Sequence, residues 1–179
     1  GAALIASAPA VATIAGGASA YFTWTYTATG PGSISFTTSA AGTDEHAGWA
    51  VGTGQLNSSS VTIQTAASLV ASMTAAPAPV EMSSNLTVIM TVTNNGQANA
   101  LSVNGVPPGI QGTGTATLLT SPAPAAVNGG ASAVFVWTYT ATTAGSVFFT
   151  SRASGTDVNS GLVKTSSQAT SASVLIQTP

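Results

Sequence analysis

The chain has 179 residues, of which only two are Lys or Arg and four Asp or Glu, so 3% are charged where about 25% is usual. Arg152 and Lys164 alone cannot build a basic patch, which argues against nucleic-acid binding, and 44% apolar residues with a net charge of −2 argue against compositional disorder. The absence of Cys excludes thiol catalysis and Cys-bound zinc, and no apolar run approaches the ~20 residues of a membrane span.

In chain order, the first strongly patterned segment is Gly16–Thr29, with Phe22, Trp24 and Tyr26 on one side of an extended strand. Ile34 and Phe36, then Val61 and Ile63, continue the same apolar face. Residues 61–70 hold no Gly or Pro, so the junction that follows is expected to hold neighbouring modules in a fixed, rod-like line. A strand is expected near Ser68–Thr74. Pro77 and Pro79 interrupt the pattern. Asn85–Thr93 alternates Leu86, Val88, Met90 and Val92 with Thr87, Ile89, Thr91 and Thr93, the period of two of a strand with one buried face. Asn94-Asn95-Gly96 is expected to turn through positive φ. Further strands are expected at Ala98–Val103, Thr115–Thr120, Ala131–Thr142, Ser146–Arg152 and Ala172–Thr178, with Phe135, Trp137, Tyr139, Val147, Phe149, Val174 and Ile176 inward. Seven short strands at this spacing predict an all-β, immunoglobulin-like two-sheet sandwich.

The segments repeat. Gly16–Thr29 returns as Gly129–Thr142, Gly42-Thr43-Asp44 as Gly155-Thr156-Asp157, and Ile63-Gln64-Thr65 as Ile176-Gln177-Thr178, always 113 positions later. About half of positions 1–65 are identical across that offset. Tandem self-similarity defines the architecture before any single residue does. Residues 66–179 read as one complete module, and residues 1–65 as the C-terminal part of another.

Ala67-Ser68-Leu69, the Pro pair, Leu86 through Ala98, the Phe-x-Trp-x-Tyr strand and the Gly-Thr-Asp turn resemble the immunoglobulin-like, cell-adhesion-related (CARDB-type) repeats of bacterial and archaeal surfaces. The resemblance covers the complete module and, through the repeat, the partial one. It implies tandem modules in a long secreted or surface-attached protein, with a stalk, adhesin or filament role, and it implies no catalytic residues.

The partial module poses a physical problem. Each aromatic buries about 150–250 Å², so at about 25 cal/mol per Å² Phe22, Trp24 and Tyr26 represent roughly 11–19 kcal/mol of gross burial. That matches or exceeds the ~5–15 kcal/mol net stability of a whole domain, and open strand edges recruit other strands. Phe22, Trp24, Tyr26, Ile34, Phe36, Val61 and Ile63 are therefore expected to form a face that something else completes. Two completions fit: flanking repeats upstream of Gly1, or strand addition from another copy, a head-to-tail contact that builds open filaments.

Chemistry is sparse. His46, the only His, sits in Asp44-Glu45-His46, and its counterpart is Asn159, so the repeat does not keep it and it reads as a solvated turn. Asp44 with Glu45, or Asp157 with Asn159, falls short of the 6–8 oxygens calcium takes, and Asp is a default turn residue. Glu81 and Lys164 suggest an isopeptide crosslink, but Lys164 is replaced by Val51 in the partial module. Trp49 stands where Leu162 stands in the complete module and reads as an exposed or interface aromatic. No enzyme activity, cofactor or metal is expected. Asn57-Ser58-Ser59 and Asn85-Leu86-Thr87 match the N-glycan acceptor pattern, and covalent glycans would solubilise so uncharged a surface. The surface itself, built from Ser, Thr, Asn, Gln and Gly, suits an extracellular or cell-surface setting and contact with copies of itself. The expected function is a structural unit of an extracellular fibre, filament or stalk. The alternative is an adhesin-type module that recognises a glycan or host surface ligand.

Overall fold

The computed structural model describes residues 2–179. Among them the backbone forms strands and no helix, and the chain divides into two compact units, Gly1–Thr65 and Ala66–Pro179.

The leading unit holds eight strands among its described residues: β1 (Ala2–Ser7), β2 (Thr25–Gly30), β3 (Gly32–Ile34), β4 (Thr37–Thr38), β5 (Ala41–Thr43), β6 (Ala50–Gly52), β7 (Leu56–Asn57) and β8 (Val61–Ile63). They pair only two by two, as β1–β2, β3–β8, β4–β7 and β5–β6, all antiparallel.

The second unit begins with β9 (Leu69–Ala76), β10 (Val80–Glu81), β11 (Asn85–Asn94), β12 (Ala100–Gly105) and β13 (Gly109–Gly112). It continues with β14 (Thr115–Thr120), β15 (Ala125–Val127), β16 (Ser132–Thr143), β17 (Gly145–Ser151), β18 (Ala153–Asp157), β19 (Val163–Thr165), β20 (Ala169–Thr170) and β21 (Val174–Gln177). One sheet runs β14-β16-β11-β9, a second β10-β21-β17-β13 with β20 also on β17, and a third β15-β12-β18-β19. The β10–β21 pair is parallel and the others are antiparallel.

Burial follows the alternation of the sequence. On β11, Leu86, Val88, Met90 and Val92 are buried while the Thr and Ile between them are only half-covered. On β16, Phe135, Trp137, Tyr139 and Ala141 point inward while Val134 and Val136 remain exposed. These side chains meet Val103, Val127, Val147, Phe149, Val174 and Ile176 in one core.

Two local expectations are corrected. The Asn94-Asn95-Gly96 segment does not turn through positive φ. Asn94 instead ends β11 fully buried, where its Oδ1 accepts the amides of Ser68 and Gly96 at 3.0 Å and its Nδ2 donates to the carbonyls of Ala98 (2.8 Å) and Val127 (3.1 Å). Gly96 is small because any Cβ there would strike the carbonyl of Ala66. Gly155-Thr156-Asp157 is likewise strand and not turn, since it lies between β12 and β19. The turn follows at residues 158–160.

Candidate functional site

The leading unit reproduces the second half of its neighbour pair for pair. Ala2↔Gly30, Ala3↔Ala28, Leu4↔Thr27, Ile5↔Tyr26 and Ser7↔Thr25 repeat the β14–β16 register, irregularities included, at an offset of 113. The β3–β8, β4–β7 and β5–β6 registers repeat those of β17–β21, β17–β20 and β18–β19. The tight turns agree too: Gly17 and Gly130, and Gly48 and Gly161, all adopt the positive φ that glycine tolerates best.

The differences fall where a partner from residues 66–113 is missing. In β16, residues 132–137 pair with β11, and β14 reaches only from Thr138 onward. The counterpart stretch 19–24 has no such partner, and strand begins only at Thr25. The aromatic strand expected across Gly16–Thr29 is therefore shortened, because Phe22 and Trp24 lie on the part with no neighbour to bond. Ser35 and Phe36 fall out of strand between β3 and β4, where β17 is held by β13 across Phe148 and Phe149. Residues 12–14 match β15, which pairs with β12 alone, and are not strand.

Side chains tell the same story. Phe22, Trp24, Tyr26, Ile34, Phe36, Val61 and Ile63 correspond, 113 positions on, to Phe135, Trp137, Tyr139, Val147, Phe149, Val174 and Ile176, all but inaccessible in the second unit. In the leading unit Trp24 is 38% exposed, Tyr26 41% and Val61 50%, and the other four are half-buried. Among the side chains described there, none from residue 5 to residue 65 is buried. Phe22, Trp24, Tyr26 and Phe36 line one cleft of about 430 Å³ with Thr23, Thr37 and Thr38. The rings of Tyr26 and Phe36 stand 4.4 Å apart, tilted by 36°. Ile34, Val61 and Ile63 do not line that cleft; they lie on the β3–β8 pair.

Two polar anchors escape sequence reasoning. Asp157 ends β18 fully buried. Its Oδ2 accepts the amide of Ala67 at 2.6 Å, and its Oδ1 accepts the amides of Asn159 (3.0 Å) and Ser160 (2.7 Å). The Ala67 amide, followed by that of Ser160, holds the carboxyl down at about 2 against the opposing effect of burial. Asp44 repeats the local half of this arrangement, its Oδ1 accepting the amides of His46 (3.0 Å) and Ala47 (2.6 Å). No described residue of the leading unit fills the place of Ala67. Tyr139 is the second anchor. Its OH donates to the carbonyl of Pro108 at 3.0 Å, and burial pushes the phenol up to about 12. The readable signal for both was identity across the offset, Asp44 with Asp157 and Tyr26 with Tyr139. The backbone groups they meet carry no signature.

The remaining candidates disperse. His46 lies in the exposed turn after Asp44, and Trp49 is 76% exposed. Glu81 on β10 and Lys164 on β19 belong to different sheets. Asn57 and Asn85 are both exposed, and Asn85 accepts the hydroxyl of Thr140 at 3.1 Å. The described residues contain no group of three or more His, Cys, Asp or Glu placed to hold a metal. Neither a protein-family model nor a curated protein sequence matches the chain.

Proposed function

We propose that this chain is a non-enzymatic structural protein, a repeat unit of an extracellular fibre, filament or surface stalk built from tandem immunoglobulin-like sandwiches, with strand complementation as one way to join them. The observation that carries this reading is where the chain enters and leaves the second unit. Leu69 opens β9 beside Asn94, whose amide donates to the carbonyl of Ala131, just before β16 begins. Ile176 on β21 lies beside Gly145, just after β16 ends. The twelve-residue β16 separates the two points by about 35–40 Å at ~3.3 Å per residue. A module entered at one end and left at the other is suited to tandem repetition. The uncharged surface supports the same reading, since it removes the usual repulsion between copies, as does the resemblance to cell-adhesion-related surface repeats. Exposed Asn57 and Asn85 are the positions at which covalent glycans would be sought.

Electron microscopy of the native material tests the proposal. Filaments with an axial spacing of one or two modules are expected, and monodisperse single particles would refute it. The 76% exposure of Trp49 favours a second reading, an adhesin-type module that takes a glycan on its aromatic face. Saturable binding to a glycan array, lost in Trp49→Ala, is its test.

A further inference from the structure

We infer that the open face of residues 2–65 is a docking site for a partner polypeptide segment built like residues 66–113, and that residues 66–113 of this chain or of a second copy are not that segment. The inference rests on the fibre reading above and specifies what completes the leading unit.

The second unit supplies the template. There, the side chains that match the open face pack in one core with residues of β9 to β13. Val88 faces Trp137 and Met90 faces Phe135 across the β11–β16 ladder. The partner must therefore bring a strand of alternating apolar residues to lie along residues 19–24. Gly105 sits so close over the indole that a Cβ there would lie 2.5 Å from Cη2 of Trp137. The partner must accordingly present a glycine to Trp24. It must also offer a backbone amide to Asp44, as Ala67 does to Asp157, and a carbonyl to the phenol of Tyr26, as Pro108 does to Tyr139.

Reach and number exclude the internal sources. For residues 66–113 of the same chain to complete the leading unit, Ile63 and Leu69 would have to take the places of Ile176 and Leu69 in the second unit, about 35–40 Å apart by strand rise. Six residues of chain extend at most about 20–22 Å. A second copy gains nothing by lending its own, because residues 114–178 of that copy need the same segment. Lending the segment to a neighbour uncovers Trp137 and Phe149 for every Trp24 and Phe36 it covers.

The test adds a peptide of residues 66–113 to the full chain carrying Trp49→Phe, so that Trp24 is the only accessible indole. Saturable one-to-one binding is expected, with a blue shift of the emission and protection of Trp24 from acrylamide. A peptide with Gly105→Leu is expected to bind about 5- to 150-fold more weakly, since such overpacking costs about 1–3 kcal/mol. Phe36→Arg in the chain is expected to abolish capture without changing the melting of the second unit. No binding overturns the inference. So does equal binding of the Leu peptide, or binding that survives Phe36→Arg, which would report exchange into the second unit. Should the peptide self-associate, the same segment joined ahead of Gly1 answers the question. That chain is expected to gain a second cooperative melting transition and to shield Trp24, and unchanged quenching overturns the inference. Filaments without peptide capture would sink this inference and leave the fibre reading standing; capture by a protein that never forms filaments would do the reverse.

Discussion

Asp157 and Ala67, 90 residues apart in sequence, are joined at 2.6 Å by a carboxylate accepting a backbone amide. The contact ties the first residues of the second unit to the end of β18. It also makes the unit sensitive to acid in a defined direction. The folded carboxyl sits at about 2, below its ordinary 3.8, so its contribution is fully present above about pH 4 and is lost as pH falls through about 2. Asp157→Asn is expected to lower the melting temperature at neutral pH and to flatten the acid limb of the stability curve, as followed by thermal melts between pH 7 and pH 2. An acid limb unchanged by the substitution would show that other carboxylates govern it.

Trp24 and Trp137 occupy matching positions with opposite surroundings, one 38% exposed and the other fully enclosed. Trp137→Ala is expected to cost about 3–5 kcal/mol, the usual effect of removing a large buried side chain. Trp24→Ala, in the chain alone, is expected to stay within about 0.5 kcal/mol, as exposed substitutions do. Trp137→Phe should cost less than the alanine change, because the buried Nε1 has no hydrogen-bond partner to lose. Denaturant unfolding of the three variants measures each figure. Equal losses at positions 24 and 137 would mean that the leading face is covered in solution.

How legible all this was depended on strand length and on what each residue meets. β11 and β16 run for ten and twelve residues, long enough for alternation to appear, and their extents were readable within a residue or so. β10, β13, β15, β19 and β20 have two to four residues, too few for a period of two to register, and they were missed. Ala153–Asp157 was hidden by its Gly-Thr-Asp sequence. Gly155 is there because a Cβ would lie 2.6 Å from Cγ2 of Val103, a packing demand that imitates a turn signal. The seven residues whose counterparts are buried in the second unit could be named from the 113-residue offset, because repetition pairs each with a known position. The Asp157 anchor could not, since its partner is an amide that every non-proline residue carries.

Asn94, a turn residue by its sequence context, is a buried junction. All four hydrogen bonds of its side chain, to Ser68, Gly96, Ala98 and Val127, use backbone groups, and they bind the ends of three segments together. Asn94→Asp keeps the shape and replaces the Nδ2 donor with an oxygen facing the carbonyls of Ala98 and Val127. With each buried group left unpaired costing about 1–3 kcal/mol, a loss of about 3 kcal/mol or more is expected. Chemical denaturation measures it, and hydrogen exchange should show the amides of Ser68 and Gly96 opening first. A near-neutral result would mean that water enters the junction and relieves the oxygens.

Tyr139 sets the alkaline limit. Its phenol is pushed from 10.0 to about 12 by burial, so the folded state resists losing a proton that the unfolded state gives up readily. Stability from this group is complete below pH 10 and falls as pH rises toward 12. Tyr139→Phe removes the titrating group and with it this part of the alkaline decline. At neutral pH the same change is expected to cost about 1 kcal/mol, the net worth of the hydrogen bond to Pro108. Tyrosinate absorbance recorded alongside circular dichroism separates the two effects: in the unmodified chain one tyrosine should ionise only as the strands unfold. If Tyr139 ionises while the fold persists, its phenol is not shielded as its burial requires.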